Sequence, residues 1–275
     1  MNRVSLCNTT IRIGAVTYLN SRPLIFGLRG MTAGSEIVLD VPSRLADGLA
    51  AGVLDVALVP SIEYRRQAGL RIVSDACIAC AGPVRSVKLY GRVPLARIRT
   101  LALDEGSRTS AALVRILLKE RFGLEPQLQP LPLGATLEQS VADAVLVIGD
   151  RGMLPAAAPF AFVADLGHEW HQWTGLPFVF ALWLARPQVE LGDLERVLAA
   201  ARDEGLRRLA EIADLAAAEI DLPAAECLAY LRDNLQFHLG PRERRGLALF
   251  FDLAARHGLA PPGGELVFQR DGDPR

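Results

Sequence analysis

A short apolar segment, Ile11–Val16, runs directly into Thr17-Tyr18-Leu19-Asn20-Ser21-Arg22 and then Pro23. The first part reads as a strand. The proline suits the opening turn of a helix, where a missing N–H removes a donor that would be unpaired anyway. A strand that ends in small and polar residues just before a helix start is where α/β proteins bind small anions. Asn20 sits in that junction with an amide able both to donate and to accept hydrogen bonds. Taken alone, the same residues also describe a plain turn with Asn20 and Ser21 as caps.

The alternation continues along the chain. Glu36–Val41 reads as a second strand. Ser43 is expected to cap a helix to about Ala51, with Leu45 and Leu49 on one face. Val53–Val59 is nearly continuous in apolar residues, as a buried parallel strand should be, and Ser61 lies in the turn at its carboxyl end. Ile72–Ala81 and Val84–Tyr90 look like further strands. After the connector Gly91–Arg99 the pattern restarts with strands at Thr100–Leu103, Gln127–Leu131 and Ala144–Ile148. Ser107-Arg108-Thr109-Ser110 opens an apolar helix, Ala111–Phe122, and Leu137–Val141 reads as a short helix. Phe178–Ala185 is suited to crossing back. Asp193–Gly258 is helical in spacing, with Pro223 and Pro241 placed as in the first turns of two helices.

One short βα unit inserted into a larger one implies an α/β chain of two lobes around a central cleft. The first lobe is expected to hold residues 11–92 and 183–275, including the C-terminal helices, and the second residues 93–182. This is the bilobal layout of type II solute-binding proteins, in which ligands lie between the lobes and hinge closure is the expected motion.

Bulk properties exclude several classes. The 275 residues are 51% hydrophobic with a formal net charge of −1, which argues against the basic face a nucleic-acid partner needs. No apolar run reaches the ~18 residues of a membrane span. Met1 to Thr10 lacks the apolar stretch and cleavage site of a signal peptide, so a cytoplasmic protein is expected. The cysteines stand at 7, 77, 80 and 227, and the Cys77/Cys80 pair has no second pair to complete a zinc site. The histidines of His168-Glu169-Trp170-His171 are three apart, not the four of a zinc helix, and the segment reads as a surface or cleft-edge loop. No metal site is expected, and no nucleophile elbow, P-loop or dinucleotide fingerprint is present.

Polar segments gather at the strand ends that should face the cleft. They are Thr17–Arg22, with Tyr18, Leu19 and Asn20 as candidate contacts, then Ser61, Arg85-Ser86 and the run Ser107–Arg108–Thr109–Ser110, joined by Gly149-Asp150 from the second lobe. The serine-rich helix start combines unpaired N–H groups, the positive end of the helix dipole and a guanidinium whose fork matches a carboxylate. It is read as an anion site. Ser86 is either a strand-end turn or a ligand contact, and Asp150 either holds a substrate hydroxyl or caps the residues after it.

These segments resemble a known family. Val16-Thr17-Tyr18-Leu19-Asn20-Ser21-Arg22-Pro23-Leu24, Asp55–Glu63, Gly82-Pro83-Val84-Arg85-Ser86-Val87, Leu103–Ser110, Asp165–Trp170 and Thr174–Ala181 match, in order, the chorismate dehydratases of the futalosine route to menaquinone. Family members often carry phenylalanine where this chain has Tyr18. The resemblance implies a cofactor-free lyase of type II solute-binding fold, removing water from chorismate, a dicarboxylate, to give 3-[(1-carboxyvinyl)oxy]benzoate. It also implies active roles for Asn20 and Ser86. The alternative is a non-catalytic binding protein or sensor for a small carboxylate, because most clefts of this kind only bind.

Overall fold

Val56–Pro60 is buried at all five positions, which requires a strand covered on both faces. It sits inside a six-stranded sheet. In the computed structural model, which describes residues 10–32, 34–155 and 159–268, the strands are β1 (Arg12–Val16), β2 (Glu36–Asp40), β3 (Val56–Pro60), β4 (Arg71–Cys80), β5 (Val87–Gly91), β6 (Thr100–Asp104), β7 (Gln127–Leu131), β8 (Ala144–Ile148), β9 (Phe162–Asp165), β10 (Phe178–Ala185) and β11 (Gln236–His238). Cys7 and the N-terminal residues before Thr10 lie outside the described residues.

The first sheet runs β11-β4-β10-β3-β1-β2 and the second β7-β6-β8-β5-β9. Each has a parallel core, β2-β1-β3 in one and β7-β6-β8 in the other. Each also takes one antiparallel strand just after the chain has crossed from the other sheet. β5 pairs antiparallel with β8 and β9, and β10 with β3 and β4. The crossings therefore fall at residues 81–86 and 175–177, not at 92/93 and 182/183. Val84–Tyr90 is apolar enough to belong to either sheet, so composition alone does not reveal that β5 has already changed lobes.

Local chemistry corrects three other expectations. The helix Pro42–Ala50 starts at its proline, with Val41 at the cap position and no side-chain cap, so Ser43 does not cap it. The third strand starts at Val56 rather than Val53. Asp55 just before it is gripped by Arg12, whose backbone N, Nε and Nη2 lie 3.0, 3.0 and 2.8 Å from its carboxylate. That pair holds the Asp55 carboxyl below its ordinary pKa. Finally, the segment with His168 and His171 is a helix, Leu166–Thr174, and not a loop. Asp165 caps it by accepting from the His168 N–H at 3.0 Å, and Trp170 inside it packs edge-on against Phe178 and Phe250.

The C-terminal helices brace the first lobe. Helix Leu194–Arg207 packs on the short helix Arg22–Ile25, directly behind the Asn20 junction. Contact is close enough that a Cβ on Gly205 would lie 2.0 Å from the Pro23 carbonyl oxygen. Cys77 and Cys80 are fully buried on β4, and burial pushes both thiols up, away from the reactive thiolate form. Among the described residues no helix is long and apolar enough to cross a membrane.

Gly205→Ala sets two opposing effects against each other. Alanine gains about 1 kcal/mol of helix propensity over glycine, but the clash is with backbone, which no rotamer relieves. The variant is expected to lose roughly 1–3 kcal/mol net, read as a lowered urea midpoint. A midpoint at or above that of the parent would mean the helix is not seated this closely.

Candidate functional site

The two sheets meet around the first turn of helix Arg108–Phe122. Its capping residue Ser107 accepts from the Ser110 N–H at 3.2 Å and donates to Ser110 Oγ at 2.9 Å. Thr109, fully buried one residue further on, reaches the first lobe. Its Oγ1 accepts from the Ile62 N–H at 3.2 Å and lies 3.4 Å from Ser61 Oγ, which itself donates to the Val179 carbonyl at 2.8 Å. The Ser43 N–H donates to the Gly106 carbonyl at 3.2 Å across the same seam.

A cavity of about 40 Å³, smaller than an open small-molecule site, lies beside this seam. Its polar lining comes from Tyr18, Asn20, Ser86, Ser107 and Ser110, with Gly149 at one edge and an apolar wall that includes Val16, Ile78, Val84 and Phe180. Asn20 Oδ1 is buried with no hydrogen-bond partner. Buried acceptors are nearly always satisfied, so an orphan in a cavity wall points to a ligand donor. Tyr18 is the one side chain of that lining able to lose a proton, and burial, followed by Asp104, pushes its pKa up to about 12.

Backbone geometry shapes both sides. Gly149 has φ 71° and ψ −158°, a region open essentially only to glycine, and a Cβ there would lie 2.9 Å from the Tyr18 ring. Ser86 follows Arg85, a non-glycine residue at φ 61°, and the Ser86 N–H donates to the Val84 carbonyl at 2.7 Å. This is a γ-turn with a left-handed centre, a rare and strained form. Asp165 holds it: its carboxylate accepts from the Val84 and Arg85 N–H groups at 2.9 and 2.6 Å.

Of the residues singled out from the sequence, six line this cavity: Tyr18, Asn20, Ser86, Ser107, Ser110 and Gly149. Five do not. Ser61 and Thr109 are spent on the seam. Leu19 is fully buried, and its N–H donates to Asp150 at 3.0 Å. Asp150 therefore ties the second lobe to the Asn20 junction, and the hydroxyl-holding role is replaced by an inter-lobe hydrogen bond. Arg108 is the clearest correction. Its guanidinium lines a separate outer groove and pairs with Asp47 at 2.6 Å and Glu63 at 3.5 Å, both in the first lobe. Being the first residue of the helix, it projects away from the face that carries Ser107 and Ser110, and two carboxylates hold it there. Two contributors escaped the sequence reading. Asp165 has a local signal, as the cap of a helix mistaken for a loop. Tyr230 has none: it is 1% exposed, and its hydroxyl donates to Ser86 Oγ at 2.8 Å.

Comparison with known proteins adds to this geometry. A family model described as menaquinone biosynthesis matches residues 11–256. The chain belongs to that family. It is 35% identical over 256 residues to the chorismate dehydratase of Thermus thermophilus, spanning 86% of this chain and 93% of that one. It is 29% identical over 175 residues to the chorismate dehydratase of Campylobacter jejuni, spanning 61% and 64%. In structure it resembles protein AF1704 of Archaeoglobus fulgidus, with a TM-score of 0.70 at 16% identity over 91% of this chain and 98% of that one. It also resembles the periplasmic aliphatic sulphonate binding protein SsuA of Escherichia coli, with a TM-score of 0.61 at 18% identity over 97% and 92%. The fold is thus periplasmic-binding-protein-like, in keeping with its two-sheet topology.

Burial pushes the Asp150 pKa up to about 6, against the smaller opposing effects of the Leu19 N–H and Arg22. A carboxyl raised in the fold binds its proton more tightly there than in the unfolded chain, so its ionisation erodes stability as pH rises from about 4 through 6. The upper bound of that loss is about 3 kcal/mol. Asp150→Asn keeps an acceptor for Leu19 and removes the charge. Its melting temperature should exceed that of the parent at pH 7.5 and match it near pH 4. A variant less stable at pH 7.5 would mean the ionised carboxylate strengthens the fold.

Proposed function

We propose that this protein is a chorismate dehydratase, a carbon–oxygen lyase that converts chorismate to 3-[(1-carboxyvinyl)oxy]benzoate and water. Supporting the reading are the two chorismate dehydratases it matches and one observation about the cavity: no side chain lining it titrates near neutral pH. A dehydration that needs a protein base would be stranded in such a site. Chorismate carries its own base.

The reaction removes the proton from the ring carbon bearing the enol ether and expels the neighbouring hydroxyl, leaving an aromatic ring. Aromatisation supplies the driving force, so the protein has chiefly to orient the substrate and stabilise charge. The enolpyruvyl carboxylate, held against the ring by Asn20 and Ser86, takes the proton. The ring carboxylate lies at the start of helix Arg108–Phe122. Unpaired N–H groups and the positive helix end favour an anion there without the Arg108 guanidinium. Tyr18, kept neutral, forms the wall over Gly149. No cofactor takes part in this scheme.

Incubating the protein with chorismate and following the ultraviolet spectrum tests the reading directly. An aromatic product supports it. Binding without conversion would favour the alternative of a small-carboxylate sensor. Asn20→Asp sets a carboxylate against the substrate's own and should lower kcat by at least about 100-fold, in keeping with a lost positioning and electrostatic contact. Near-normal turnover in both Asn20→Asp and Asn20→Ala would remove Asn20 from the mechanism. Arg108→Ala, by contrast, should leave KM within about threefold, since a pair removed from the cavity contributes little to binding.

A further inference from the structure

We infer that Tyr230, from the C-terminal helical region, is a positioning residue that sets which of Asn20 and Ser86 donates and which accepts, and so matches the pair to a carboxyl group that has just gained a proton. The inference deepens the chorismate reading and rests on it for its chemistry.

Three facts converge on Tyr230. Helix Ala224–Ala229 widens into a π-turn, Tyr230–Asn234, a local irregularity that is frequent at functional sites. The ring is buried and the hydroxyl donates to Ser86 Oγ at 2.8 Å. The amide of Asn20 interacts with the same hydroxyl and partly offsets the upward push of burial on its pKa. A phenol buried in this way stays protonated and has a single hydrogen to give, and it gives that hydrogen to Ser86.

Direction follows from the inventory of donors and acceptors. Because the Tyr230 hydrogen goes to Ser86, its oxygen can only accept, so it suits the Asn20 amide N–H group and leaves Oδ1 as the unpartnered acceptor of the cavity wall. Ser86 Oγ accepts from Tyr230, which leaves its own O–H as a donor to the cavity. The wall therefore presents one acceptor and one donor side by side. An ionised carboxylate offers two acceptors and meets Asn20 Oδ1 unfavourably. A protonated carboxyl offers one donor and one acceptor and satisfies both. The site is thus more favourable to the carboxyl after it has taken the ring proton than before, which raises its basicity when the proton must move. The balance is internal to the substrate: the C–H bond breaks, its proton forms an O–H bond on the enolpyruvyl carboxylate, its electron pair enters the ring as the neighbouring C–O bond breaks, and the leaving hydroxide takes that proton from the carboxyl to depart as water.

Tyr230→Phe removes the hydroxyl and keeps the ring, freeing the Asn20 amide to turn over and the Ser86 hydroxyl to rotate. We expect kcat for chorismate to fall by about 10- to 100-fold, with KM within about threefold and the melting temperature close to that of the parent. Combined with Ser86→Ala, it should cost nothing beyond Ser86→Ala alone. A kcat within twofold of the parent, or losses that multiply in the double variant, would overturn the inference. A second measurement needs no turnover. With the four tyrosines labelled with carbon-13 at Cζ, Ser86→Ala and Asn20→Ala should each shift the resonance assigned to Tyr230 through Tyr230→Phe. A resonance that stays in place in both overturns the inference. If the parent leaves chorismate unchanged, the proposed function fails, and the spectrum alone decides whether Tyr230 orders the pair.

Discussion

The seating of one helix start against the opposite lobe is the contact on which the rest depends. Thr109 reaches Ser61 and Ile62, the Gly106 carbonyl takes the Ser43 N–H, and Arg108 pairs with Asp47 and Glu63 on the outer side. Together these close the two sheets onto each other around Ser107 and Ser110. The Leu19 N–H to Asp150 and the Tyr230 hydroxyl to Ser86 add bonds beside the cavity. Opening is expected to pivot about the helix start, where several buried polar pairs hold the two sheets together.

Around that cavity the chain accepts unfavourable backbone geometry. Gly149 occupies a glycine-only region beneath Tyr18, and Arg85 centres a γ-turn that a β-forming segment would not choose by itself. Each is held by something specific. The Tyr18 ring fills the space a Cβ would need, and Asp165 binds two successive N–H groups of the turn. Asp165 also caps helix Leu166–Thr174, so one carboxylate couples the second crossing to the turn that presents Ser86. Strain of this kind persists only where surroundings over-determine it, and here it places Ser86 in the cavity lining that also holds Asn20.

Much of the site is legible in the amino-acid order. Asn20, Ser86, Ser107 and Ser110 stand at strand ends or a helix start, where local pattern alone identifies residues with unpaired backbone groups nearby. Arg108 misleads for a physical reason. A guanidinium beside a helix start looks like an anion receptor, but consecutive helical residues point about 100° apart, and the neighbour of a cavity-facing serine faces elsewhere. Tyr230 is invisible for the opposite reason, because a lone tyrosine in an amphipathic helix carries no sign of what it will meet some 140 residues away.

Most strands, the cap of helix Arg108–Phe122 and the start of helix Pro241–Arg256 were settled by the sequence alone, as was the restart of the βα pattern after residue 99. Those properties depend on residues within a turn or two. The sheet each apolar strand joins, the side of a helix start that faces the opposite lobe, and the pairing of Tyr230 with Ser86 were decided only by packing. Apolar surface is non-directional, and a strand buried on both faces fits either sheet equally well until the remaining elements are in place.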